Sequence, residues 1–332
     1  MATGTGADFT IVSEFFWAGL NERVAQNIAA FNAASNNTIR LSSKLLKGNF
    51  AQTTILDLIS GLIVRRDITS VADVADLKME DSNLISVKIN RRIGPVGQTL
   101  DAWKKLGKTN EDMSRALGQQ TGDAQAQDWL NTGLISLKTA LESVAAVNFD
   151  GTAAATATVN TSNLASGRAL LGDAWTNVKV WVMHSVTYAE LLIAQLGTEG
   201  VALDSVAGVA FTQGIPQTLG LPVLVTDSSA LFDLNGSAPD TYDVLGLTTG
   251  ALNIIQSEQS DMSSRIVDGK ANLIYRVQGE SAFNIDVKGM QYVEATGANP
   301  TDATLGTTSS WAQVVSSMKN GPGVRITFNK GA

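Results

Sequence analysis

Apolar positions first recur every four residues. Phe16, Leu20, Val24 and Ile28 keep that spacing and so share one face of a helix predicted over residues 14–32. Phe15 and Trp17 widen the face, while Asn21, Glu22, Gln26 and Asn27 lie off it. Such a stripe packs either on the chain's own core or, as a terminal arm, on another subunit. The AASNNT that follows reads as a flexible joint. The strongest helical signal covers residues 110–148. Thr109 or Asn110 can cap it, and Glu111 and Asp112 sit where the helix dipole favours acid. Leu130, Leu134, Leu137, Leu141 and Val144 form its apolar stripe. Gly118, Gly122 and Gly133 weaken it, so a break is expected near 118–122. Unbroken, it would be a rod of ~57 Å at ~1.5 Å per residue.

Elsewhere the period is two. Ile85, Val87, Ile89, Arg91 and Ile93 alternate with polar residues, and GLIVRRDI at 61–68 is also strand-like. An antiparallel hairpin of these two runs, turning between Lys78 and Met79, would set Arg65 and Arg66 opposite Arg91 and Arg92. Like charges directly opposed destabilise a hairpin. Asp67, Asp73, Asp76, Glu80 and Asp81 gather toward the tip, too far along to serve all four arginines. Carboxylates from a neighbouring chain are therefore expected; a different register with solvated arginines is the alternative. After the link DGTAAATATVNTSN, residues 164–260 alternate short signals: a helix near 164–173, strand VKVWVM, helix VTYAELLIAQL, strands LPVLVTD and YDVLGL. This predicts a compact α/β module. Strand patterns return over 262–295, and the Gly/Thr/Ser-rich C-terminal stretch contains the helical-looking WAQVVSSMK and the strand-like VRITF.

Composition narrows the function. The 332 residues are 44% apolar and 17% charged, which is a folded chain with one large domain or two ordinary ones. A net charge of −7 argues against a protein built to wrap nucleic acid, though not against one that contains it. With no cysteine and one histidine, thiolate chemistry, Cys-based zinc sites and His-rich metal sites are excluded, while a carboxylate site for magnesium or calcium stays open. The opening MATGTGADFTIVSEFF lacks a basic n-region and is expected not to be a signal peptide; no apolar run approaches the ~20 residues of a membrane span.

Motifs for catalysis or cofactors are missing. There is no phosphate-binding loop, no GxSxG elbow, and the early GTG follows no strand. No cofactor is expected. Asp233, Asn235, Asp240 and Asp243 could face a divalent cation, but without EF-hand spacing they read as a solvated loop, and no metal is expected. His184 lies in a strand-to-helix turn with Ser185 as the expected N-cap. It has no identifiable nucleophile or orienting acid, so packing in the turn outweighs catalysis, and no catalytic residue is assigned.

The same stretch carries a resemblance. VWVMHSVTYAELL, then GIPQTLGLPVLVTDSSA, then YDVLGLTTGAL, then IYRVQGESAFNIDVKGMQYV resemble, in that order, segments of tailed-bacteriophage major capsid proteins. RALGQQTGDAQAQDWLNTGLISLKTAL resembles their long spine helix, and the resemblance covers roughly residues 60–295. It implies the α+β Hong Kong 97-type fold: an N-terminal arm at 1–59 and an extended β-hairpin loop at 60–100. A peripheral domain with the spine helix would take 101–155 and 262–300, an axial α/β domain 156–261, and a C-terminal extension of no recognised type 301–332. It implies self-assembly into hexamers and pentamers of an icosahedral virion shell around double-stranded DNA, formed in the host bacterial cytoplasm with no membrane partner. A separate scaffolding protein and a portal are implied partners, with a decoration protein as a further candidate. Phe15, Phe16, Trp17 and Leu20 of the arm and Arg65, Arg66, Arg91 and Arg92 of the loop are the expected subunit-interface residues. Some relatives crosslink through a loop lysine; Lys78 and Lys88 lie in the expected loop, but no partner asparagine or activating acid can be matched. The rivals are a cellular nanocompartment shell of the same fold, a tail or decoration component, and a cytoplasmic hydrolase using carboxylates and His184.

Overall fold

The computed structural model describes residues 6–56, 63, 65–66, 68–74, 76, 81–99, 110–154, 156–203, 218–234, 239–269 and 271–331. Helix α1 runs Gly6–Ala34 and helix α2 runs Asn110–Glu142, and the two pack against each other. Glycine sets how closely. A Cβ on Gly19 would lie 2.6 Å from the Arg115 carbonyl oxygen, and one on Gly118 would strike the Phe16 carbonyl. The expected break at 118–122 does not occur: α2 continues through Gly118 and Gly122, because these glycines are where the other helix touches it. Over 33 residues it is ~50 Å long. Leu134, Leu137 and Leu141 of the predicted stripe are fully buried, with Leu130 and Val144 partly so. Arg23 with Asp123 at 2.7 Å and Arg115 with Glu22 at 2.7 Å flank the helix crossing.

The AASNNT segment is a built turn, a correction to the flexible joint. Asn36 and Asn37 take left-handed φ of 51° and 56°, a conformation asparagine tolerates better than most residues. Ser35 and Thr38 are fully buried, and their hydroxyls donate to the carbonyls of Ile39 and Ser35. The Asn32 amide bonds both the N–H and the C=O of Leu41.

Among the described residues there are two large sheets. The first contains β1 (Ile39–Ser43), β2 (Phe50–Leu56), β3 (Asp81–Thr99), β9 (Leu252–Val267) and β10 (Ile274–Val287), in the order β1-β9-β10-β3-β2. The second contains β4 (Asn148–Asp150), β5 (Val178–His184), β6 (Val223–Thr226), β7 (Phe232–Asp233), β8 (Thr241–Thr248) and β13 (Gly323–Asn329), in the order β4-β13-β8-β5-β6 with β7 beside β8. In β5 the run Val180, Trp181, Val182, Met183 is wholly buried, as a strand covered on both faces requires. Helices α3 (Thr161–Ala169) and α4 (Ser185–Leu203) accompany this sheet. A small pair, β11 (Met290–Tyr292) with β12 (Trp311–Gln313), and a one-turn helix α5 (Asp302–Leu305) complete the chain.

Three expectations change. The hairpin partner of β3 is β2, with Leu56 opposite Asp81, and on its other side β10 places Ser281 opposite Arg91 and Glu280 opposite Arg92. The arginine pairs therefore do not face each other. WAQVVSSMK forms no α-helix, only the start of a 3-10 turn at Met318–Asn320: Trp311 is buried in β12, its indole N–H donating to the Leu305 carbonyl at 3.0 Å, and tertiary pairing overrides the helical pattern. Strands also cross the expected segment bounds. β1 and β2 sit in the first sheet and not in an arm, β9 runs through 261–262, and β13 lies between β4 and β8 instead of in a separate extension. Gly323 allows that insertion, since a Cβ there would strike the Gly246 carbonyl of β8.

α2 joins the sheets. A Cβ on Gly133 would lie 2.7 Å from Ile254 and 2.9 Å from Leu252, so the helix backbone rests on β9. Near its end, Lys138 bridges Asp233 at 2.5 Å and Asp243 at 3.0 Å, and Glu142 approaches Arg325 at 3.7 Å. Asp243 is buried and also accepts from Arg325 at 3.2 Å and Thr327 at 2.9 Å. Burial alone would lower the Lys138 pKa, but Asp243 and Asp233 outweigh it and hold it above the ordinary lysine value.

Two outcomes follow. Gly118→Ala improves helix propensity by ~1 kcal/mol yet should destabilise by ~1–3 kcal/mol, read as a lower midpoint in urea unfolding, because the added methyl pushes α1 away. Asp243→Ala leaves Lys138 and Arg325 facing each other without their shared acid, and the same measurement should lose ~3–5 kcal/mol.

Candidate subunit interfaces

The connection from β2 to β3 is where apolar side chains stand bare. Ile63, Ile68, Val71 and Val74 are 97, 82, 100 and 90% exposed. A lone exposed aliphatic is ordinary, but four along one connection mark a contact surface. Arg65 and Arg66 are exposed in the same stretch, with Asp73 and Asp76 nearby in sequence. Sequence reasoning singled out the arginines and passed over the aliphatics. The signal was there: Ile68, Val71 and Val74 are apolar residues set among the acids Asp67, Asp73 and Asp76.

The four arginines do not share one environment. Arg91 finds its carboxylates inside its own chain, which corrects the expectation of a neighbour's acid there. It meets Asp128 of α2 at 2.9 Å and Asp302 of α5 at 2.7 Å, donates to Thr132 at 2.9 Å, and lies over the Phe283 ring. Burial pulls its pKa down, yet the two acids prevail and raise it. Arg92 is exposed beside Glu280. Arg65 and Arg66 make no ion pair among the described residues.

The arm residues divide as well. Phe16 and Leu20 are buried inside the chain, next to the backbone approach of α1 to α2, so their surface is already spent within one subunit. The side chains of Phe15 and Trp17 lie outside the described residues. Lys88 is not on a loop. It is a β3 residue with a 7% exposed side chain, its ammonium against the Glu258 carboxylate and 3.4 Å from the Leu46 carbonyl. Lys78 lies outside the described residues.

His184 has a structural task. Its Nδ1 accepts the Val186 N–H at 3.2 Å, so His184, not Ser185, caps α4. The ring lies 5.3 Å from Tyr242 and 6.3 Å from Phe232. Of the acidic cluster, Asp233 and Asp243 face Lys138 and Asp240 lies 4.0 Å from Lys330, so protein cations stand where a metal was considered. Asn235 lies outside the described residues.

Known proteins fit this architecture. A family model described as Gp13-like, major capsid protein 13-like, matches residues 8–325. The capsid asymmetric unit of cyanophage Pam1 is similar over 88% of each chain, with 12% identity and a TM-score of 0.56. The capsid of Ralstonia phage GP4 is similar over 90% of this chain and 89% of that one, with 11% identity and a TM-score of 0.55. The head of Helicobacter pylori bacteriophage KHP40 covers 90 and 89%, with 10% identity and a TM-score of 0.51. A search of curated protein sequences found no match. The two-sheet α+β architecture with its long α2 is the Hong Kong 97-type capsid fold, and the chain belongs to the Gp13-like family of major capsid proteins, structural components of the tailed-phage virion.

Proposed function

We propose that copies of this chain form hexamers and pentamers that close an icosahedral shell around double-stranded DNA in the host bacterial cytoplasm. A separate scaffolding protein and a portal guide assembly, and a decoration protein is a further candidate partner. The observation carrying this reading is the bare β2–β3 connection, with four exposed aliphatics and the arginine pair Arg65–Arg66. In a shell, this connection lies on a neighbouring subunit. Its aliphatics lose water at ~1.5–3 kcal/mol per fully buried side chain, and the arginines meet the neighbour's carboxylates. Charge complementarity there fixes register and partner choice more than affinity. Phe15 and Trp17 are the arm residues that remain candidates. Each contact can be weak, because closure makes many of them effectively intramolecular. A net charge of −7 suits a container whose genome must leave, since it holds DNA without a strong counterion-release term. Among the described residues no helix is long and apolar enough to cross a membrane.

Sedimentation velocity tests the loop contact directly. The double variant Ile68→Asp/Val71→Asp should keep the circular dichroism of the parent, since both side chains are solvent-exposed, but should stop at monomers or small oligomers under conditions where the parent forms large particles. Undiminished particle formation by the variant would remove the loop from the assembly contact.

A further inference from the structure

The outer part of the first sheet is a three-stranded ribbon. β1 pairs with β9 only up to Gln256, and β2 pairs with β3 only up to Val87. Beyond those points β9, β10 and β3 continue with neither flanking strand beside them. One face of this ribbon carries an unusual charge order. Arg265 of β9 stands directly opposite Arg276 of β10, Ser263 opposite Gln278, and Asp261 opposite Glu280. The four charged residues are exposed and line an open depression of ≈ 500 Å³ with Gly279 at its floor. Among the described residues none of the four makes an ion pair. Arg92 of β3 follows Glu280 across the acidic rung, leaving Asp261 as the acid at the free edge.

The Arg265–Arg276 rung is unfavourable within one chain, and the acidic rung is offset on one side only, by Arg92 opposite Glu280. They become favourable only against an opposite charge, and here the two signs occur four residues apart, ~13 Å along the strands. A partner of one sign, such as nucleic acid or an acidic peptide, would be attracted by one rung and repelled by the other. A second ribbon turned end for end satisfies both, with its acidic rung over the basic rung of the first and the reverse. We propose that this ribbon face is a self-complementary contact between two copies of the chain, Arg265 and Arg276 of one meeting Asp261 and Glu280 of the other. This rests on the shell reading and assigns to it a second contact, away from the β2–β3 connection.

Charge exchange tests it, with particle formation followed by sedimentation velocity at low and high salt and folding followed by circular dichroism. R265E/R276E makes the face acidic and should raise the concentration needed for assembly about tenfold or more at low salt, with the defect shrinking as salt screens the repulsion. R265Q/R276Q adds no repulsion and should move the same way by less, which covers a misfolded reversal. The five-fold exchange R265E/R276E/D261R/E280R/R92E restores complementarity between like copies and keeps position 280 opposite in sign to position 92. It should assemble with itself and fail to co-assemble with the parent. Parent assembly together with normal assembly of R265E/R276E overturns this contact and leaves the shell reading intact. Loss of assembly in R265E/R276E without recovery in the five-fold exchange also overturns it. Unchanged assembly with lost binding to a duplex DNA probe would assign the basic rung to nucleic acid instead. A parent that stays monomeric at every salt concentration overturns both readings.

Discussion

Helix α2 is the constraint on which the subunit depends. It touches α1, the interior strand β9 of the first sheet and β13 of the second, and each contact uses a different kind of interaction. Against α1 it uses absence of side chain, at Gly118 and on the facing Gly19. Against β9 it places Gly133 under Ile254 and Leu252. Against the second sheet it uses charge, with Lys138 and Glu142 reaching Asp243 and Arg325. Buried pairs of this kind add little net stability compared with apolar packing, but breaking one is costly, so they fix orientation more than they add strength. A rod held at three places along ~50 Å keeps two sheets in fixed relation, as a plate that must match its neighbours requires.

Arg91 shows the same logic at the other edge of α2. Its two acids come from Asp128, 37 residues away, and Asp302, 211 residues away. It thus ties β3, α2 and the C-terminal α5 together. The exposed charges differ in kind. Among the described residues Arg65, Arg66 and the Arg265–Arg276 rung make no ion pair within the chain, and the acidic rung has an opposite charge only on one side, where Arg92 stands opposite Glu280. Surface charge that is left in like-signed groups is poor for a lone subunit and useful for one meant to meet copies of itself.

What the sequence displayed was what periodicity can encode. The α2 stripe, the wholly apolar β5 run and the alternation along β3 and β10 each follow from side chains facing one core. The order of motifs around His184 pointed to the capsid family. What stayed hidden was which remote segments pair. Nothing in VRITF says that it inserts between β4 and β8, and nothing local in RALGQQTG says that its two glycines are contact points and not weaknesses. The register that separates Arg65–Arg66 from Arg91–Arg92 depends on β10, nearly 200 residues later in the chain, which hairpin reasoning on 60–93 leaves out. The role of His184 was half legible: its place in the turn was clear, while its own ring as the cap required the Val186 N–H to be located in space.

The central claim is that this subunit builds a closed shell through its β2–β3 connection, and electron cryo-microscopy of particles assembled from the purified protein tests it most directly. The account predicts icosahedral shells in which Ile63, Ile68, Val71 and Val74 of each copy are covered by a neighbouring subunit and Arg65 and Arg66 meet that neighbour's acids. Shells in which this connection stays in solvent, or open tubes and rings in place of shells, would contradict it.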